Sequence, residues 1–165
     1  MVTYFFNPNV HPLSEFGRRL DSFTAYVGRS GIPAIVDSSY PLQEFLRGAL
    51  EAEAEGETRC RFCYRMRLGK AAMDAARLGF DAFSTTLLAS PYQRRELLVQ
   101  AGEQAAEDAG VSFASLDFRD GWKAGREAAR REGLYLQRYC GCILSEQEAD
   151  AARCQKRTGM QDGKS

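Results

Sequence analysis

The sequence lacks the features that would place the protein in a membrane or on a strongly charged partner. It has no apolar run near the roughly 18–20 residues that a membrane-spanning helix needs. Its 22 basic and 22 acidic side chains cancel, so an anionic partner has to be bound by a local patch. Residues 1–6 have neither the basic region nor the long apolar stretch of a secretory signal. We therefore expect a cytoplasmic protein with no membrane partner and with reduced thiols.

Histidine is scarce, because His11 is the only one in the chain. Its place beside a proline in the first predicted turn is compatible with a general acid, a metal ligand or a simple turn residue. Asp117 poses a similar choice at the end of the last predicted strand. It is either an acid, base or ligand at the sheet edge where α/β sites form, or a strand-end cap or ion-pair partner of Arg119.

Short β-branched or aromatic runs alternate with segments of helical periodicity. Strands are predicted at 2–6, 32–37, 80–87 and 111–116, and helices at 12–30, 42–50, 60–78, 90–109, 121–131 and from 145. This alternation predicts an α/β fold with a mostly parallel sheet and helices on both faces. The length of 165 residues predicts a single domain over 1–153, followed by a flexible polar tail at 154–165.

Local signals predict how several of these helices begin. Ser90 and Gln93 flank a proline in a capping-box pattern, Asp120 is placed to cap the helix at 121–131, and Ser145 opens the last helix with a further capping box. The acidic segment 51–58 is predicted to be a solvated loop.

Two cysteine doublets are the main chemical feature of the sequence. Cys60 and Cys63 form a C-x-x-C pair, and Cys140 and Cys142 form a C-x-C pair. Four thiols in two tight groups predict one metal centre assembled by the fold, and their spacing suits both structural zinc and an iron–sulfur cluster. The alternative is that one pair is a redox dithiol and that the other pair only contributes to packing. Cys154 is expected to be a free thiol.

Arginines and aromatic residues are concentrated near both doublets. This pattern indicates an anionic surface partner such as looped RNA, which proteins hold by phosphate contacts and base stacking. The alternative is a set of solvated helix faces. The residues concerned are Arg59, Arg61, Arg65, Arg67, Arg94, Arg95, Arg126, Arg130, Arg131 and Arg138, with Tyr64, Tyr92, Trp122, Tyr135 and Tyr139.

Five ordered motifs carry a family resemblance. They are N-P-N-x-H-P from Asn7, C-R-x-C-Y-x-M-R-L from Cys60, F-S-T-T-L-x-x-S-P-Y from Phe83, D-F-R from Asp117 and Y-x-Q-x-Y-C-G-C from Tyr135. Together they resemble the epoxyqueuosine reductase family of the QueH type, over about residues 2–148.

The resemblance implies a cytoplasmic tRNA-modifying enzyme with an α/β fold related to the adenine nucleotide hydrolase-like (HUP, PP-loop) group. Members reduce the epoxide of epoxyqueuosine in the tRNA anticodon loop to queuosine, using a four-iron four-sulfur (4Fe-4S) cluster, an additional iron ion and an electron donor that the sequence does not identify. Carried onto this chain, the resemblance implies a metal site, a catalytic pair and a substrate surface. These are Cys60, Cys63, Cys140 and Cys142 for metal, Asp117 and His11 for catalysis, and Asn9, Arg67, Ser90, Tyr92 and Arg119 for substrate.

The sequence departs from the family at its beginning. Members start with a further strand and a C-C-A-P-C loop, and that strand lies in the middle of the sheet. Its loss predicts unpaired strand edges and an open core. We expect a misplaced start codon; the alternative is a truncated, non-catalytic four-cysteine zinc- or iron-binding RNA module. An ATP-using PP-loop tRNA thiolase would need a glycine- and serine-rich phosphate loop, which this sequence does not contain.

Overall fold

Strands and helices alternate along the chain as predicted. The computed structural model describes residues 1–148 and 150–151, so Cys154 and the predicted tail lie outside the described residues, and the domain boundary at 153 stays a prediction. The elements are β1 (Thr3–Phe5), α1 (Leu13–Ser30), β2 (Ala34–Val36), α2 (Leu42–Ala54), α3 (Arg59–Arg77), β3 (Ala82–Phe83), α4 (Arg95–Ala109), β4 (Ser112–Phe113) and α5 (Trp122–Arg131), with 3-10 turns at Thr86–Ala89 and Arg119–Gly121. Helical backbone recurs at 143–148 and 150–151. The α/β class is confirmed.

The strands pair in parallel, but they form two separate sheets. β1 pairs with β2, and β3 pairs with β4. Each strand has only two or three residues, which is shorter than predicted. The predicted strand at 80–87 is wrong in its second half, because the Thr85 hydroxyl accepts a hydrogen bond from the Leu87 amide at 3.3 Å and a 3-10 turn follows. The relation to the PP-loop group stays a prediction.

The predicted capping box at Ser90 is wrong. The Ser90 hydroxyl accepts a hydrogen bond from the Tyr92 amide at 3.4 Å, which makes a turn, and α4 begins only at Arg95. Gln93 cannot close a capping box because its side-chain oxygen accepts a hydrogen bond from the Tyr64 hydroxyl at 2.8 Å. The tertiary contact therefore replaces the local signal.

Three other helix boundaries also differ from the prediction. α2 continues to Ala54, so the acidic connection before α3 is shorter than 51–58. Asp120 lies inside a 3-10 turn, and α5 begins after Gly121 without a side-chain cap. Ser145 lies within the last helical segment, which starts at 143, and its Oγ is 2.9 Å from the Cys140 Sγ.

The buried side chains form three separate groups. The helix-pair core joins α3 to α4 and is made of Tyr64, Leu68, Ala72, Leu88, Leu98, Ala101 and Ala105. The strand core contains Phe5, Val10 and Phe16, and the cysteine core contains Phe45, Ala49 and Cys142. Small residues let α3 and α4 approach closely. Within residues 1–148 and 150–151, each helix is either too short or too polar to traverse a lipid bilayer.

Asp74 fastens β1 to α3. Its carboxylate accepts hydrogen bonds from the Tyr4 hydroxyl at 2.6 Å, from Lys70 at 2.5 Å and from Arg77 at 3.2 Å. Burial would raise the pKa of Asp74, but these hydrogen bonds outweigh it and lower the pKa to about 2. The charged form of Asp74 therefore stabilises the folded state.

Replacement of Asp74 by Asn is expected to lower the free energy of unfolding at pH 7 by about 1–2 kcal/mol, allowing for solvent screening of the exposed Arg77. Because the folded pKa is depressed, the stabilisation is complete above about pH 4 and is lost as the pH falls towards 2. Urea unfolding of Asp74→Asn and wild type from pH 7 to pH 3 measures this, with the exposed Asp108→Asn as control. A difference that stays constant over this pH range would contradict the assignment.

Candidate metal centre

The fold brings the two cysteine doublets towards each other. Cys60 and Cys63 lie in the first turns of α3, which begins at Arg59. Cys63 packs against the cysteine core that contains Cys142, and Cys60 packs against the helix-pair core. Cys140 and Cys142 both lie close enough to raise the pKa of the two helical thiols. The pairing of the doublets predicted from their spacing is thus compatible with the fold.

Burial is the main influence on the two helical thiols. It raises the pKa of Cys63 to about 12, and the neighbouring thiols act in the same direction while Arg67 opposes them. Burial also raises the pKa of Cys60 against the opposing charges of Arg59 and Arg94. A bound cation reverses this preference, because coordination deprotonates a thiol.

Four thiols from two segments form a donor set that fits a four-thiolate metal ion or an iron–sulfur cluster. The four cysteines are free of disulfides. Within the part of the chain that the structure describes, no three His, Cys, Asp or Glu side chains are already gathered as a ligand set. The fit of the centre therefore rests on the chemistry and the proximity of its donors.

The segment carrying the second doublet is held mainly through its backbone. Arg19 donates hydrogen bonds to the carbonyl oxygens of Tyr139 and Cys140, both at 3.0 Å. Asn9 donates to the same Cys140 carbonyl at 3.3 Å, and the His11 amide donates to the Gly141 carbonyl at 2.8 Å. These bonds attach the C-x-C loop to the first turn of the chain and to α1.

Gly141 is the residue that this close attachment requires. Its φ of 116° lies in the region that favours glycine. A Cβ at this position would lie 2.8 Å from Val10 and 3.0 Å from the Arg19 guanidinium. The middle residue of the C-x-C motif therefore has to be glycine for the loop to pack against its anchor, which is formed by Asn9, His11 and Arg19.

Glu15 in turn holds the anchor in place. It is 1 % exposed and accepts hydrogen bonds from Arg19 at 2.9 Å, Arg18 at 2.9 Å and the Tyr135 hydroxyl at 2.6 Å. Burial would raise the pKa of Glu15, but the hydrogen bonds from Tyr135, Arg19 and Arg18 lower it. Sequence reasoning missed this network, although Glu15 with arginines three and four residues later is a recognisable helical signal.

His11 lies beneath the same loop. The residue is 1 % exposed, and its ring packs on Tyr40 and Phe45 at centroid distances of 5.7 and 5.3 Å. Its backbone oxygen accepts a hydrogen bond from the Tyr139 hydroxyl. Neither ring nitrogen has a hydrogen-bond partner among the described residues, and burial lowers the pKa of the imidazole. His11 is therefore a neutral imidazole with both nitrogens available.

The residues predicted to bind substrate are divided between two places. Asn9 belongs to the loop anchor, and its buried Oδ1 has no partner in the described part of the chain. Arg67 lies one helical turn after Cys63 and donates a hydrogen bond to the Asn7 side chain at 3.0 Å. Ser90 and Tyr92 lie apart from the loop, in the turn before α4, and Tyr92 is 82 % exposed.

Asp117 and Arg119 form an ion pair after β4. Arg119 donates hydrogen bonds to both carboxylate oxygens of Asp117, the shortest at 2.6 Å, and Arg95 lies 3.8 Å away. Hydrogen bonds from Arg119 lower the pKa of Asp117 to about 2. Of the two interpretations of Asp117, the ion pair with Arg119 is present, and the carboxyl is ionised at neutral pH. Its catalytic assignment stays a prediction.

Helix α3 connects the cysteine loop to the turn before α4. Tyr64, next to Cys63, donates to Gln93 at 2.8 Å and accepts a hydrogen bond from the Arg94 amide at 3.3 Å. The charge of Arg94 also acts on the Cys60 thiol. The end of the turn that presents Tyr92 is therefore bonded to the helix that carries the first cysteine doublet.

Comparison with known proteins places this arrangement in a family. The family model described as "Epoxyqueuosine reductase QueH" matches residues 1–148. Proteins named epoxyqueuosine reductase QueH are similar to this chain in Dehalococcoides mccartyi, at 37% identity over 88% of this chain and 78% of the relative, and in Thermotoga maritima, at 31% identity over 86% and 77%. A relative with the same name in Histophilus somni is 34% identical over 91% of this chain and 63% of its own length. The cysteine doublets and the turn that anchors them lie within the matched residues, and the chain belongs to the epoxyqueuosine reductase QueH family.

Proposed function

We propose that this protein is a cytoplasmic oxidoreductase that reduces epoxyqueuosine in a tRNA anticodon loop to queuosine. The observation that carries the proposal is the approach of four thiols in a chain that matches the family over residues 1–148. The name shared by its relatives supports the reaction, and the local concentration of arginines in a chain of zero net charge supports an RNA substrate.

Loss of the epoxide oxygen fixes the balance of the reaction. Two C–O bonds break, the ring carbons form a double bond, and the oxygen leaves as water after uptake of two electrons and two protons. We propose a four-iron four-sulfur cluster, with a neighbouring iron ion, held by Cys60, Cys63, Cys140 and Cys142. Such a cluster supplies single electrons when bound, and a low-potential one-electron carrier is the class of donor that it requires.

The protein's own groups would bind the substrate and move the protons. His11 is proposed to take up or release a proton at Nδ1 or Nε2, and the proposal is supported by the lack of a partner for either nitrogen among the described residues. Asp117 suits the orientation of Arg119 better than the donation of a proton, since it is ionised at neutral pH. Asn9, Arg67, Ser90, Tyr92 and Arg119 are proposed to contact the nucleotide. The modified base has to leave the stacked loop to reach these groups.

Anaerobic reconstitution with iron and sulfide, followed by an assay on tRNA that contains epoxyqueuosine, tests this function. The expected result is a brown protein that converts epoxyqueuosine to queuosine when a chemical reductant such as dithionite is supplied. Mass spectrometry of the digested tRNA measures the conversion. A protein that holds the cluster and leaves the epoxide intact would contradict the proposal. A colourless protein that retains zinc would also contradict it.

A further inference from the structure

The aromatic residues near the cysteines have different surroundings. The hydroxyl of Tyr135 donates to Glu15, that of Tyr139 to the His11 carbonyl and that of Tyr64 to Gln93. The hydroxyls of these three side chains are therefore engaged in hydrogen bonds within the protein. Tyr92, by contrast, is 82 % exposed, and its hydroxyl has no partner in the described part of the chain.

Tyr92 packs against the only tryptophan of the sequence. Its ring meets Trp122, the first residue of α5, at a centroid distance of 6.1 Å and an interplanar angle of 78°. The guanidinium of Arg126, one turn later, lies 5.6 Å from the centroid of the Trp122 ring. We call Tyr92, Trp122 and Arg126 the aromatic platform. Tyr92 is exposed on it, while Trp122 and Arg126 are half-buried, so the platform offers one open ring backed by a second ring and a cation.

Helix α5 surrounds this platform with positive charge. None of its residues is buried. It carries Lys123, Arg126, Arg130 and Arg131 against the single acidic Glu127, and none of the four basic side chains forms an ion pair within the described residues. In a chain with zero net charge, this local excess attracts an anion.

From these features we infer that the aromatic platform is a stacking site for an unpaired RNA base, with the basic side chains of α5 on the adjoining phosphates. The inference rests on the proposed tRNA substrate and adds the place and the manner of its binding. Aromatic rings flanked by arginines hold single-stranded nucleic acid through base stacking and phosphate contacts. A duplex keeps its bases stacked on one another and offers none to the platform.

The residues that follow Tyr92 connect the platform to the cysteine-bearing helix α3. Gln93 and Arg94 follow Tyr92, and both contact Tyr64 on the cysteine-bearing helix. The platform is therefore attached to the helix that carries Cys60 and Cys63. The platform fixes the position of the loop while the modified base enters the site.

Because Trp122 is the only tryptophan, its fluorescence reports on the platform alone. The full chain, purified anaerobically, is titrated with an RNA hairpin of the queuosine-type anticodon arm and, separately, with a blunt RNA duplex of the same stem. The hairpin is expected to quench the emission, and the duplex is not. Binding is measured in parallel by anisotropy of a dye on the RNA.

Two substitutions and a matched control sharpen the test. Tyr92→Ala is expected to weaken hairpin binding about tenfold, and Tyr92→Phe, which keeps the ring, is expected to restore it. Arg126→Ala is expected to weaken binding and reduce its salt dependence. Arg29→Ala removes an exposed arginine at the end of α1 and is expected to leave binding unchanged.

Each outcome decides the inference. Hairpin binding without quenching would overturn the stacking site and leave the proposed function standing. Quenching with no epoxide reduction would support the site and count against the proposed function. Absence of any RNA binding would overturn both. A concentration-dependent dimer that is lost in Trp122→Ala, with no response to RNA, would assign the surface to a second copy of the chain and overturn the inference.

Discussion

Replacement of Cys63 by alanine is expected to abolish iron binding and to lower epoxyqueuosine reduction by more than about 100-fold. Cys63 joins the first doublet to the cysteine core, where it packs with Cys142. With three thiols left, the proposed donor set is incomplete, and the iron that it would hold is expected to be lost. Iron content and visible absorption after anaerobic reconstitution measure the first effect, and the tRNA assay measures the second.

Cys154→Ser is the matched control for this experiment, because Cys154 belongs to neither doublet. It is expected to change neither iron content nor activity. Circular dichroism of both variants checks that the helices remain. If Cys63→Ala kept the full iron content and colour, the four-cysteine centre would be wrong, whatever the activity.

Arg19→Ala is expected to lower the free energy of unfolding by about 3 kcal/mol and to reduce iron loading. The substitution removes two hydrogen bonds to backbone carbonyls of the C-x-C loop and one partner of the buried Glu15. Removing one member of a buried ion pair costs about 3–5 kcal/mol, and Arg18 and Tyr135 still partner the carboxylate, which places the effect at the lower end. Urea unfolding and iron content are the two measurements.

Arg18→Ala is the matched control on the same helix. Arg18 also bonds to Glu15, but its side chain is 58% exposed, and within the described residues it donates hydrogen bonds only to that carboxylate. A substitution at such an exposed ion pair costs about 0–1 kcal/mol. Equal losses of stability and of iron in the two variants would show that the loop does not depend on the Arg19 contacts.

The order and type of the elements could be predicted because their signals are local, whereas the four-cysteine site stays a prediction. The α1 segment ends at Gly31, with a φ of 64°, and glycine is the common residue at such a helix end. The two doublets are recognised as candidate metal ligands from their spacing alone. The resemblance to the family was available from ordered motifs, and the match over residues 1–148 confirms it.

The predictions that failed concern side chains whose contacts are with residues distant in the chain. Ser90 and Gln93 have the pattern of a capping box, but Tyr64, nearly thirty residues earlier, takes the Gln93 side chain. Nothing local distinguishes Arg19, which holds the cysteine loop 120 residues later, from its exposed neighbour Arg18. The choice between a catalytic Asp117 and an ion-paired one likewise depended on the geometry of Arg119 and Arg95.

The division of the interior into three cores has a consequence for cooperativity. Separate apolar groups open separately, and their amides are expected to exchange with solvent at different rates, with the α3–α4 pair protected longest. The candidate ligands lie on two of these groups, Cys60 against the helix-pair core and Cys63 with Cys142 in the cysteine core. Gly141, between the last two candidate ligands, lies so close to Val10 of the strand core that a Cβ added to it would be 2.8 Å from that side chain. Metal binding would therefore join three loosely coupled units into a single one that opens as a whole.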